Sequence, residues 1–250
     1  MTDINQQLGN LIASADALTE VVTEKVSAVN KAVNQAVEQS KSKVDGYIAG
    51  AEKQLPIYRQ SKNQIGNVIN GNLDYFIKNS AFNIEVSIYR EINSGIEWEA
   101  RDDEEKEIMR AMGLAGKQYF KPKIQVISMK WSGFISEENS GYTMYPNPVC
   151  SGSVLTTIAS YAKLLNGSIT SSWLKNVTNE WKICGEHRSP SPGGYIHAHP
   201  YVRSANGEVL FIWPAVVSGK VSLDPDKPAW GYYPGIFNDQ VFETEVKEEV

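Results

Sequence analysis

His197-Ala198-His199 places two metal-capable imidazoles two residues apart. On a strand, alternate residues share a face, so the two imidazoles would stand together as half of a metal site. Three copies of the chain around one axis would bring six imidazoles together, an octahedral set suited to iron or nickel. The plainer reading is a strand with two polar residues facing solvent or partner side chains. Cys184 with His187 is the pairing that could make a cysteine nucleophile, but no third group is marked to orient the imidazole. Cys150 and Cys184 therefore read as plain buried thiols. Asp224 and Asp226 sit in a proline-rich loop and read as turn residues rather than a hydrolytic pair. Gly-x-Ser-x-Gly, a phosphate-cradling glycine loop and His-Glu-x-x-His are all absent from the sequence, so an enzyme is not the expected reading.

The aromatic residues point elsewhere. Trp230, Tyr232, Tyr233 and Phe237 fall in one glycine- and proline-punctuated loop, and Tyr142 and Tyr145 fall in another. Rigid amphipathic rings on loops offer contact area at low entropic cost, and they stack on the apolar faces of sugars while their polar tips hydrogen-bond. Against this stands the alternative that the same rings plug the core of a small β domain.

These residues need a scaffold, and the composition bounds it. The chain has 250 residues, 42% hydrophobic and 21% charged, with a net charge of -5. That is ordinary for a globular protein with ample chain to bury a core. No apolar run approaches the ~20 residues of a membrane helix. The start of the sequence lacks the basic and apolar regions of an export signal. With no basic block, nucleic acid is not an expected partner.

The N-terminal segment has the most regular pattern. From Leu11 to Leu55 there is no proline, and apolar residues recur at steps of four, three and four. The seam runs Leu11, Ala15, Leu18, Val22, Val26, Val29, Val33, Val37, Ser40, Val44, Ile48, Ala51 and Leu55, and Ser40 alone breaks it. An eleven-residue period is about 3.67 residues per turn, close to the α-helix's own ~3.6, so the stripe barely drifts around the helix. Such a narrow stripe, extending over about 66 Å at ~1.5 Å per residue, is too long for one small domain to cover. The spacing predicts a parallel homo-oligomeric coiled coil in preference to a helix lying across its own domain. Valine at nearly every core position does not set the number of strands. Pro56 ends the helix.

After the stalk, residues 57–80 read as a partly helical neck. Phe82, Ile84, Val86 and Ile88 alternate as a strand, and with the Asn93-Ser94-Gly95 turn they predict a hairpin over 81–100. Residues 101–113 carry acids in their first turn and Gly113 at their end, which predicts a short helix. Ile124 to Trp131 reads as a strand. Residues 153–165 have helical spacing, with a strand left open by their threonines and valine. Short strands are expected within 173–184, 194–202, 209–217 and 221–223, with Asn206-Gly207 as a hairpin turn. The fold class is α+β: a stalk and attachment end over 1–56, a neck over 57–80, a small α/β shoulder over 81–135 and a β-rich head over 136–250.

A polar N-terminus, a valine-rich stalk, a neck and a β-rich head full of aromatics and turns resemble a bacteriophage tail-fibre or related virion fibre protein. The resemblance rests on the seam from Leu11 to Leu55 and on the change of period at Phe82. It implies a homotrimer made in the host cytoplasm and carried on the virion. The N-terminal end would be attached to other virion or tail proteins, and the C-terminal head would bind a host-surface receptor, often a glycan and otherwise a protein. It also implies the one cofactor to weigh, an axial iron held by His197 and His199, although the chain has a single His-x-His rather than a series. Two further readings share this layout: a fibre-borne polysaccharide depolymerase, and a structural collar or head-decoration fibre.

Overall fold

The computed structural model describes residues 2–54, 57–136 and 141–236, with side chains described over 4–47 in the first of these segments. The chain divides into two units, Met1–Leu55 and Pro56–Val250.

The first unit is one α-helix, α1 (Thr2–Gln54), 53 residues long. Its sequence is proline-free, and its hydroxyl residues fold back on the preceding turn: Thr19 and Thr23 donate to the carbonyls of Ala15 and Thr19. Every described side chain of α1 is exposed. Along the seam the exposure runs from 52% at Val22 to 68% at Leu11, so no other element of this unit covers the stripe. Ile4 and Leu8 are exposed as well and continue the spacing ahead of Leu11. No helix is long and apolar enough to cross a membrane, among the described residues.

The second unit is built on a five-stranded antiparallel sheet. Its strands are β4 (Asn83–Ile92), β5 (Ile124–Ser132), β7 (Thr156–Asn166), β9 (Lys182–Arg188) and β11 (Gly207–Ser218), in the order β4-β5-β11-β7-β9. Both faces are covered. Phe76, Met144, Trp173 and Leu174 pack with Ile84, Met129, Val209 and Phe211 in one core. Ile108, Met109, Trp181 and Trp230 pack with Val126, Tyr161, Leu210 and Ile212 in the other. A strand buried on both faces loses its polar alternation. This is why 153–165 is the strand β7 despite spacing that also fits a helix.

The short helix is α2 (Asp103–Ala111), capped by Asp102, whose carboxylate accepts from the Glu105 N–H at 2.8 Å. Arg90 of β4 holds this end through Asp102 at 2.6 Å and Glu104 at 3.2 Å.

Several expectations are corrected. The 81–100 segment is not a hairpin, because β4 pairs with β5 and Trp98–Ala100 is a 3-10 turn. Buried Arg101 holds that turn, donating through Nη2 to the carbonyls of Asn93 and Ile96 and through Nη1 to Glu105. Residues 57–80 are not a neck. Arg59, Ser61 and Gln64 are buried, and backbone bonds tie Arg59 to Pro234 and Gln60 to Val216. The segment adds the tight hairpin β1 (Val68–Ile69) to β2 (Asn72–Leu73), turned by Asn70-Gly71 with φ of 50° and 73°, and then β3 (Phe76–Lys78). Nor are 81–135 and 136–250 separate bodies, since both supply strands to the one sheet. Residues 173–181 and 221–223 form no strand.

Asn206-Gly207 is no hairpin either. β10 (Tyr201–Val202) pairs with β8 (Ile169–Thr170), while β11 pairs with β5 and β7. Gly207 is needed for space, because a Cβ there would lie 2.0 Å from Cζ2 of the buried Trp131. Gly207→Ala is therefore expected to lower the stability of the β domain by about 2–3 kcal/mol through overpacking, read as a fall in the urea midpoint. An unchanged midpoint would show that Trp131 has room to move.

Candidate functional site

The site is built on an extended segment from Tyr195 to Tyr201. Ile196, Ala198 and Pro200 turn inward and are buried, which leaves Tyr195, His197, His199 and Tyr201 together on the outer side. Backbone bonds fix both ends: Ile196 N–H donates to Cys150 and Gly152 N–H to Gly194 at one, Thr143 N–H to Pro200 and Val202 N–H to Gly141 at the other. The neighbouring strand β6 (Met144–Pro146) pairs with β3 and brings up Tyr145, and Tyr142 just before it bridges to Tyr201.

The six rings form a continuous set. Centroids are 4.5 Å apart for Tyr195 and His197, 5.3 Å for His197 and His199, and 5.0 Å for His199 and Tyr201. Tyr142 meets His199 edge-on at 5.5 Å and Tyr145 at 6.2 Å. Nε2 of His199 lies 2.9 Å from the Tyr201 hydroxyl. With Pro146, Val149 and Ile196 the rings line a groove of about 430 Å³.

Burial, with smaller contributions from His197 and Arg188, pushes His199 down to about 4 from the ordinary 6.5. Its imidazole is thus neutral at pH 7. The unfolded chain takes up a proton there that the folded chain refuses. This part of the stability is complete above pH 6.5, declines as pH falls, and is gone below about 4. The thermal midpoint is expected to fall across that window, and His199→Gln is expected to flatten the fall. An identical pH profile in the variant would contradict the assignment.

The sequence-derived candidates separate into two groups. Tyr142, Tyr145, His197 and His199 come together in the groove. Both histidines do share a face, although their segment is extended chain without a strand ladder. Trp230 does not belong to a recognition surface: it is 3% exposed, donates from Nε1 to the Trp213 carbonyl, and packs on Tyr233 at 5.2 Å. Gln64 pins that loop from beneath, donating to Gly231 O and accepting from Tyr233 N–H, and the Tyr233 hydroxyl donates to Ala229 O. Tyr232 is at the surface beside the Arg59 guanidinium, away from the groove lining. Phe237 lies outside the described residues, as do Leu55 and the side chain of Ile48 in the stalk seam. Sequence reasoning passed over Tyr195 and Tyr201, although Tyr-x-His-x-His-x-Tyr marks them by its period of two.

The remaining candidates take structural roles. Cys150 and Cys184 are free and buried, and burial pushes both thiols up to about 12. His187 contacts the Thr157 hydroxyl. Asp224 shapes a turn, its carbonyl accepting from Lys227 N–H and its carboxylate from Asp226 N–H. No group of three or more His, Cys, Asp or Glu is placed to hold a metal ion, among the described residues.

No model of a known protein family matches this chain, and no curated protein sequence matches it.

Proposed function

We propose that the chain is a structural fibre protein of the bacteriophage tail-fibre kind, which self-associates through α1 and binds a host-surface receptor in the tyrosine–histidine groove of its β domain. The groove is the observation that carries this reading: six rings from two segments on one surface, held from behind by buried neighbours and backbone bonds. Rings in that arrangement offer apolar faces and polar tips, which suits a binder. The uncovered seam from Leu11 to Val44 supports association with further copies, because a second copy carries the same repeat and stays in step with it along its length. A homotrimer carried on the virion, docked by its N-terminal end on other virion or tail proteins, completes the proposal. Three weak sites on one particle act at high effective concentration.

Receptor binding in the groove requires no iron: within one chain, His199 contacts the Tyr201 hydroxyl and the edge of Tyr142.

The test is binding of the fluorescently labelled full chain to a panel of intact bacterial strains. The expected result is decoration of at least one strain, lost when Tyr195 and Tyr201 are both replaced by alanine. Undiminished decoration by that variant would remove the groove from the account.

A further inference from the structure

Building on the receptor-binding reading, we infer that the groove takes an uncharged polysaccharide chain, laid along the row from Tyr195 to Tyr201. Two features carry this beyond a general glycan site.

The first is shape. Tyr195, His197, His199 and Tyr201 occupy every second position of an extended segment, about 20 Å long at ~3.3 Å per residue. Successive rings are tilted by 34°, 62° and 58°, so the row is staggered rather than flat. A linear, staggered row fits several sugar rings of a chain, whereas a single terminal sugar would use one ring or two.

The second is charge. Among the described residues, the lining has no lysine, arginine, aspartate or glutamate: it consists of tyrosine, imidazole and aliphatic groups. Two arginines lie near the row. Arg188 is paired with Glu186 at 2.5 Å, and Arg203 lies 5.7 Å from the centroid of the Tyr201 ring. A polyanion laid in the groove would lose hydration without gaining an ion pair from the lining. A neutral chain incurs no such cost. Its C–H faces meet the rings, and its hydroxyls meet phenol oxygens and imidazole nitrogens. Binding of this kind has little dependence on salt.

The experiment is affinity electrophoresis of the full chain through gels containing dextran, yeast mannan, laminarin or galactan, and through gels containing alginate or polygalacturonate. Each is run at low and at high salt. The expected result is retardation by a neutral polymer, unchanged between the two salts. Tyr195→Ala or Tyr201→Ala should weaken it about two- to tenfold, and Tyr195→Phe, which keeps the ring, should largely retain it. Retardation by the acidic polymers alone, weakened by salt, would overturn the uncharged class while leaving the groove as the receptor site. Retardation by no neutral polymer, with strain decoration still sensitive to the tyrosines, would overturn the polysaccharide class and leave the receptor reading standing. If decoration also fails to respond to the tyrosines, both readings fall.

Discussion

Val29→Asp in the full chain is expected to convert the assembly to monomers and to remove most of the helical circular dichroism of α1. Val29 is near the middle of the seam and 59% exposed on the isolated helix. In a bundle every copy would bury a carboxylate at one level, with no cation beside it in the seam. Uncompensated burial of a charge costs several kcal/mol per ion, and the copies would also repel one another. Without association the helix has only its propensity and scattered side-chain bonds to hold it, which leaves it marginal despite its length. Asn34→Asp, away from the stripe, adds the same charge and is expected to leave the mass unchanged. If both variants behave alike, the seam is not the contact.

The second large effect separates the core from the groove. Trp230→Ala is expected to destabilise the β domain by about 3–5 kcal/mol, as large buried aromatics do when truncated. The indole fills the space beside Trp213 and Tyr233, and the Trp230 carbonyl accepts from the buried Tyr161 hydroxyl. Against a total of about 5–15 kcal/mol, that is enough to unfold part of the population near physiological temperature. Tyr195 is 59% exposed, so Tyr195→Ala is expected to shift stability by less than about 0.5 kcal/mol while weakening receptor binding. Urea unfolding followed by tryptophan fluorescence reads the first effect, and the polymer gels read the second. A stable Trp230→Ala protein that had lost binding would return the 229–236 loop to the surface.

The contrast between Trp230 and Tyr195 shows where the sequence was legible. Helical signals were reliable: the helical spacing of α1 and the acidic first turn of α2 depend on neighbours within a turn or two. Trp230 sits in a Gly/Pro-rich loop, and composition alone suggests exposure. The indole is nevertheless buried, because Gln64, far away in the chain, ties the loop down and Trp230 packs into the second core. The neck failed for the same reason, since the polar run from Arg59 to Gln64 is satisfied by carbonyls and amides that only the fold brings near. β7 was ambiguous because a strand covered on both faces has no alternation to read. Four of the six rings of the groove, Tyr142, Tyr145, His197 and His199, were candidates from the sequence. The other two, Tyr195 and Tyr201, continue the alternation of the histidines and were hidden by the metal-like pair.

The most direct test of the account is the absolute mass of the full chain in solution, measured by light scattering at low micromolar concentration. A mass near three times 27.8 kDa is the expected result and would support α1 as the trimerising stalk. A mass of one chain would contradict self-association through the Leu11–Val44 seam.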